Sequence, residues 1–248
     1  MDCVTERDAR LRIAAELRMF LPVSRRREWQ RVTTDDTSTL GHHVESVGVP
    51  LTEAGPMVLG GRGVRPSYLL APGDVVEVHA MPRPQPLPAG PRFLLDVHLG
   101  TLARRLRLIG VDAAYHNDMD DPALVVQANE EHRVLLTQDR GLLRRRALWL
   151  GAYVRGSRPA DQLRDVLERF APPLTPWTRC TSCNGVLVPV SKQEVEPVLE
   201  AGTRRSYDAY GRCRDCGQVY WQGAHSDSLE EIVRTAQVWT NNAKIQHG

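Results

Sequence analysis

The sequence has no long hydrophobic run. None approaches the roughly 18 apolar residues that cross a bilayer, so no membrane-spanning helix is expected. The N-terminal stretch MDCVTERDARLR is charged and lacks the apolar core of a secretory signal. An excess of one charge is missing too: 32 Lys and Arg stand against 30 Asp and Glu, a formal +2 over 248 residues. That balance argues against a general polyanion-coating protein but leaves room for a local basic patch. Cysteine is nearly absent outside the last third, where Cys180, Cys183, Cys213 and Cys216 cluster; Cys3 stands alone. With 42% hydrophobic and 25% charged residues, the chain is neither wholly disordered nor collagen-like, and its length fits one to three domains. The expectation is a soluble, cytoplasmic protein with no membrane partner.

Proline and glycine punctuate what is there into three parts, giving a multi-domain α/β protein. Residues 1–10 read as a flexible tail and 81–91, MPRPQPLPAGP, as a semi-rigid Pro-rich linker. Within 11–80, Leu11, Ile13, Leu17 and Met19 alternate with polar residues or alanine, which predicts a half-buried strand, with Gln30–Thr34 as its hairpin partner. Leu40, Val44 and Val47 follow helical spacing behind the caps Thr37 and Ser38, and Gly48 ends that helix. Val75 and Val78 mark a last strand. Strand, strand, helix, strand is the order of a β-grasp, or ubiquitin-like, fold.

Residues 92–171 alternate strands with helices, which predicts a parallel sheet. Phe93–Val97, Ala113–Tyr115, Val134–Thr137 and Ala152–Val154 are the strands. Leu102, Leu106 and Ile109 mark one helical face, Pro122–Ala128 a second helix, and Leu163, Val166, Leu167 and Phe170 a third. Residues 172–238 carry the cysteines, with a strand at Val219–Trp221 and a capping box, Ser228 and Glu231, before a helix over Leu229–Val238. Residues 239–248 read as a frayed tail.

Asp96 and Asp139 fall at C-terminal strand ends, where active sites form in open parallel sheets. Asp121 heads a helix beside Asp118 and Asp120. Carboxylates drawn from distant positions repel one another unless a hard cation such as Mg²⁺ or Mn²⁺ bridges them, and such ions support phosphodiester hydrolysis. Taken singly, each aspartate is equally a turn former or helix cap. Arg104, Arg105, Arg107, Arg140, Arg144 and Arg145, with Arg146 beyond, surround these positions and suit phosphate, since the guanidinium fork matches phosphate oxygens. The alternative is a solvated face paired with Glu130, Glu131 and Asp165. Thr137 and Gln138 are candidates for positioning phosphate or water, or for strand-end packing.

The segment FLLDVHLGTLARRLRLIG, followed by DDPALVVQANEEHRVLLTQDRGLL, resembles a PIN-type nuclease domain and, more closely, the Mut-seven C-terminal RNase family. Asp96 closing the first strand, Asp121 before the helix to Ala128, and LLTQD ending in Asp139 carry the resemblance. It implies a PIN-like fold, RNA as partner (tRNA or ribosome-associated RNA included) and metal-dependent cleavage with Asp96, Asp121 and Asp139 as Mg²⁺ or Mn²⁺ ligands. It also implies a fourth acid near the start of the last helix, where Asp161 stands; Asp118 and Asp120 are candidates to replace or supplement Asp121.

Cys180-Thr-Ser-Cys183 and Cys213-Arg-Asp-Cys216 form two CxxC knuckles 29 residues apart, the pattern of a closed four-thiolate Zn²⁺ site in a zinc ribbon. A redox dithiol or two disulfides are the alternatives. The flanks CNGVLVPV and GQVYWQGAH resemble the zinc-ribbon tail of the same family through Asn184, Gly185, Tyr220, Trp221, Gly223 and His225. Tyr220 and Trp221 suit base stacking or packing of the small domain. His225 suits phosphate contact or helix capping.

Some bacterial members of this family carry a ubiquitin-like domain ahead of the nuclease, matching residues 11–80. A sulfur carrier of this fold needs a terminal Gly-Gly, whereas Gly60 and Gly61 are internal. Partner binding, with Arg25–Arg27 at hand, is the expectation instead. Two readings result: a metal-dependent ribonuclease, or a non-catalytic RNA- or ribosome-binding adaptor on the same folds.

Overall fold

A computed structural model of the protein describes residues 8–35, 37–198, 209–221 and 226–245. Cys3, Gly223 and His225, singled out above, lie outside them. The chain divides into two compact units, Met1–Pro82 with Asp139–Tyr153, and Arg83–Gln138 with Val154–Gly248.

In the first unit, β1 (Asp8–Ile13) buries Ala9, Leu11 and Ile13 and turns Arg10 and Arg12 outward. It begins inside the stretch expected to be a flexible tail. The alternation does not continue as strand. Ala15–Phe20 is a 3-10 helix instead, because Leu17 and Phe20, three apart, both reach the core. β2 (Trp29–Thr33) pairs antiparallel with β1, placing Gln30 opposite Leu11.

Helix α1 (Leu40–Val47) buries Leu40, Val44 and Val47. Its cap is Thr39, whose hydroxyl accepts from His42 N at 3.3 Å; Thr37 and Ser38 instead donate their backbone N–H groups to Asp35. β3 (Ala54–Leu59) and β4 (Arg62–Val64) form a hairpin that the sequence reading missed. Its turn is Gly60-Gly61, with φ of 55° and 80°, the doubly positive pattern of a tight hairpin turn. β5 (Val75–Ala80) completes the order β2-β1-β5-β3-β4, with β1 and β5 parallel. This is the expected β-grasp.

The second unit opens with β6 (Arg92–Leu95), α2 (Gly100–Leu108), β7 (Asp112–Tyr115), α3 (Asp121–Glu130) and β8 (Val134–Thr137). β6 lies between β7 and β8, parallel to both. All four β8 residues are buried, as a parallel strand covered on two faces requires.

The next two elements, α4 (Arg140–Leu143) and β9 (Gly151–Tyr153), pack within the first unit. Arg140 donates to the carbonyls of Met19 (2.9 Å) and Phe20 (3.1 Å), with its guanidinium near the Phe20 and Tyr153 rings. Arg144 donates to Gly48 O at 2.7 Å, and Tyr153 N donates to Glu53 Oε1 at 2.8 Å. These arginines serve packing here, which departs from their expected role at RNA.

Back in the second unit, α5 (Pro159–Phe170) buries Leu163, Val166, Leu167 and Phe170. The first half of the Pro-rich stretch, expected to be a semi-rigid linker, is docked on it. Arg83 pairs with Asp165 at 2.8 Å, and buried Arg169 donates to Gln85 Oε1 at 2.9 Å.

The cysteine region adds β10 (Leu187–Val190), α6 (Lys192–Val195), β11 (Tyr210–Cys213) and β12 (Val219–Trp221), with the strands antiparallel in that order. A capping box does occur, at Ser191 and Glu194 rather than Ser228 and Glu231. The last helix, α7 (Ser226–Ile245), starts before Ser228 and runs through most of the stretch expected to fray.

Gly110 ends α2 at φ 83°, and the chain returning from α5 crosses directly above it: Thr175 N donates to Ile109 O at 3.0 Å. A Cβ at Gly110 would overlap Thr175 O. Gly110→Ala is therefore expected to lose more than the about 1–3 kcal/mol of a left-handed non-glycine residue. At Gly73, which has φ 86° and open space, the alanine variant should lose only that backbone cost. Denaturant midpoints of the two variants check the difference.

Candidate active site and metal centre

Asp96 follows β6 and is 6% exposed. Its Oδ1 accepts from Val97 N at 2.6 Å, capping a short 3-10 turn (Val97–Leu99), and its Oδ2 accepts from the buried Thr137 hydroxyl at 2.6 Å. Thr137 ends β8, so two neighbouring parallel strands fix one carboxylate. Tyr115, at the end of β7, donates its hydroxyl to Val97 O at 2.9 Å, and Gly100 leaves room for the ring. Tyr115 was not singled out in the sequence, where it reads as the last residue of a weak strand.

The other predicted acids sit at helix starts. Asp120, not Asp121, caps α3 by accepting from Ala123 N at 2.9 Å; Asp121 is the first helical residue, ahead of Pro122. Asp118 is exposed in the preceding turn. Asp139 caps α4 through Gly141 N at 2.6 Å and Leu142 N at 3.4 Å. Asp161, in the first turn of α5, pairs with Arg158 at 2.8 Å, and that hydrogen bond holds its carboxyl below the usual range. Gln138 donates to the carbonyls of Val154 and Gly156, fixing the loop whose Gly156 lies against Asp161.

Among the basic candidates, Arg104 and Arg105 lie on one face of α2 and carry no carboxylate partner among the described residues. Arg145 is exposed beyond α4. Arg107 departs from expectation. Only 3% exposed, it donates to Ala113 O (2.8 Å), Ser182 O (2.7 Å) and Thr181 O (3.2 Å), so it joins α2 to the first cysteine knuckle instead of facing RNA. The carboxylates proposed as its neighbours are engaged elsewhere: Glu131 with Arg133, Asp165 with Arg83.

The four cysteines converge, with all four Sγ atoms within 4.8 Å of one another; no other group of three or more metal-ligating side chains does so among the described residues. Cys180 and Cys216 are 3.7 Å apart, Cys183 and Cys213 3.4 Å, and none is in a disulfide. Tetrahedral zinc with ~2.3 Å bonds sets sulfurs about 3.8 Å apart, so the cluster is able to hold that ion. Burial works against a Cys180 thiolate, but hydrogen bonds from the Tyr220 hydroxyl and from backbone N–H groups outweigh it and bring the thiol to about 7. Burial and the neighbouring thiols push Cys183 up to about 12.

The first knuckle is fastened to the parallel sheet through Asp112, a residue that carries no sequence signal. Asp112 Oδ1 accepts from Arg133 (2.6 Å) and Asn184 (2.8 Å), while its Oδ2 lies 3.4 Å from Arg179. Asn184, at φ 75°, returns its own Oδ1 to Ala113 N at 3.1 Å. Burial pushes the Asp112 carboxyl up, but the bonds from Arg133 and Asn184 and the charges of Arg133 and Arg179 pull it below its ordinary value.

Comparison with family models gives two matches: the description "Mut7-C RNAse domain" for residues 91–233 and "Mut7-C ubiquitin" for residues 7–86. Comparison with curated proteins and with solved structures gives no match.

Because its folded pKa is depressed, Asp112 stabilises the fold fully above its unfolded value of about 3.9 and loses that contribution as pH falls through the folded value. Asp112→Asn is expected to cost up to about 3–5 kcal/mol at neutral pH, the scale of a broken buried ion pair. The gap to the parent protein should stay constant above about pH 5 and narrow below about pH 4. Urea denaturation at several pH values reads both.

Proposed function

Because the chain belongs to the Mut7-C RNAse family, whose domain covers residues 91–233 behind a ubiquitin-like domain, we propose that it is a cytoplasmic, metal-dependent ribonuclease. One observation carries the reading beyond the family match. Asp96 is a buried carboxylate at the C-terminal end of the central parallel strand, where open α/β sheets bind their ligands. One backbone N–H and one hydroxyl orient it while leaving acceptor capacity for a cation.

Asp96, Asp121 and Asp139 would hold Mg²⁺ or Mn²⁺, and their hard oxygen donors suit either ion. Asp161 is the fourth acid; its pair with Arg158 is exposed and weak enough to exchange for a cation. A bound divalent ion lowers the pKa of water and offsets charge on the leaving oxygen. The chain's own part is orientation. Thr137 fixes the Asp96 carboxylate, Gln138 fixes the loop before α5, and Arg104 and Arg105 hold phosphates of the strand. Water is the nucleophile, so no covalent enzyme intermediate forms. The four thiolates hold structural zinc, with every position filled by protein. The β-grasp unit, an interaction fold, takes a protein partner. Its Gly-Gly is spent in a hairpin turn, which leaves no diglycine end for sulfur transfer. A cytoplasmic location suits thiols free of disulfides, and no helix among the described residues is long and apolar enough to cross a membrane.

The adaptor reading has one observation in its favour: Asp96, Asp120 and Asp139 each accept a backbone N–H, the role a non-catalytic fold would need from them. Substitution separates the two. In Asp96→Asn the amide oxygen can still accept from Val97 N while the amide NH2 donates to the Thr137 hydroxyl, so the fold should persist while Mn²⁺-dependent cleavage of an RNA mixture falls more than about 100-fold, beyond the usual effect of a metal's outer partners. Equal turnover by the purified variant would remove Asp96 from the site. Absence of turnover in the parent protein across metals and substrates would favour the adaptor.

Freshly purified protein should also contain about one equivalent of zinc, and a chelator should lower its unfolding midpoint. Less than about half an equivalent by elemental analysis would count against the four-thiolate site.

A further inference from the structure

Helix α2 carries Thr101, Arg104, Arg105 and Leu108 at spacing i, i+3, i+4, i+7, a single stripe in which Thr101 and Arg104 are exposed, Arg105 is half-buried and Leu108 is the buried floor. That face forms one wall of a groove of ≈ 800 Å³. The zinc-ribbon strands and α7 supply the other walls, and the lining is largely apolar, with Val188 and Ile232 in it. Two tryptophans stand in this groove half-open to solvent: Trp177 at 37% and Trp221 at 41%. Trp177 is held by a backbone bond from its N–H to Leu108 O at 3.1 Å. Arg104, Arg105 and Arg179 line the groove, and no Asp or Glu among the described residues does. Arg179 is already spent on Asn184 O and Asp112, which leaves Arg104 and Arg105 as cations with no carboxylate among the described residues.

We propose that this groove is the binding track for an unpaired RNA segment, with bases stacked on Trp177 and Trp221 and phosphates on Arg104 and Arg105. Flat apolar faces interleaved with cations that lack counter-charges match a single strand, whose bases and phosphates alternate. A duplex hides its bases and would meet only the two arginines. An apolar peptide would leave both guanidinium groups without a counter-charge. The proposal rests on the ribonuclease reading for its ligand and adds a substrate class to it: single-stranded RNA, gripped along the helix that begins four residues after Asp96.

The test separates binding from cleavage. Full-length Asp96→Asn protein is titrated with a labelled 12-nucleotide oligo(U), the same length of RNA duplex, and an abasic strand, with anisotropy as the readout. Oligo(U) is expected to bind more tightly than the other two and to quench tryptophan emission. Trp221→Ala or Trp177→Ala should weaken oligo(U) binding about 5- to 150-fold, the value of one stacked base, and Trp→Phe at either position should restore most of it. Arg104→Gln with Arg105→Gln, both on a helix surface, should flatten the log–log salt dependence by about 1.4, two contacts at 0.7 each. Equal affinity for the abasic strand or the duplex, or oligo(U) binding unchanged in the groove variants, overturns the proposal. Cleavage by the protein with Asp96 intact is scored separately, so the groove can fail while the ribonuclease reading stands, and the reverse.

Discussion

The second unit depends on one half-buried carboxylate. Asp112 begins β7 and gathers Arg133 from the approach to β8, Arg179 from the approach to the first knuckle, and Asn184 from just beyond it. Asn184 then closes the circuit on Ala113 N, so a strand edge and a cysteine turn share hydrogen bonds. Arg107 repeats the connection from the helix side, reaching Ala113 O and the knuckle carbonyls together. An isolated buried charge would be costly, but here every charge has a partner of opposite sign or a dipole. The consequence is mechanical: the first cysteine knuckle is tied by hydrogen bonds to a strand of the sheet and to α2. The α2 face that lines the groove is held by the same buried Arg107.

The candidate acids illustrate how structural and chemical roles coexist in one side chain. A carboxylate has about four acceptor sites, and an N-cap uses one or two of them. Asp96 gives one oxygen to Val97 N and the other to Thr137, yet each oxygen keeps a further lone pair. Capping therefore does not compete with cation binding. It fixes the carboxylate rotamer, so a cation of the kind proposed here would meet a side chain that needs little further ordering. The same logic separates Asp120 from Asp121: the first is committed to the helix start, and the second begins the helix one step along.

What was legible in the sequence was whatever lay in local spacing. The CxxC pairs, the four-residue apolar run of β8 and the α5 face at Leu163, Val166, Leu167 and Phe170 are all readable within a dozen residues, and all three are realised. Leu17 and Met19 misled because positions two apart in a strand and three apart in a 3-10 helix overlap over so short a stretch. Gly60-Gly61 was read for its chemistry as a diglycine, when flanking strands made it a hairpin signal. Asp112, Arg107 and Arg140 were opaque for a different reason. Their partners lie tens of residues away, and a charged residue gives no periodic sign that it will be buried. Arginine runs look alike in sequence whether they meet phosphate or, as Arg140 does, the carbonyls of a distant turn.

That last case bears on how the chain is divided. The nuclease family match runs unbroken from 91 to 233, but the compact units do not follow it: Asp139–Tyr153 packs with the β-grasp residues. Arg140 satisfies the carbonyls at the end of the first unit's 3-10 helix, Arg144 that of the α1 cap Gly48, and Glu53 binds Tyr153 N. A four-residue helix such as α4 cannot hold itself, since nucleation is unfavourable and the helix has no length over which to recover it. Its order must come from these tertiary bonds. Asp139 sits at its cap, so the order of this one candidate acid comes from bonds made within the first unit.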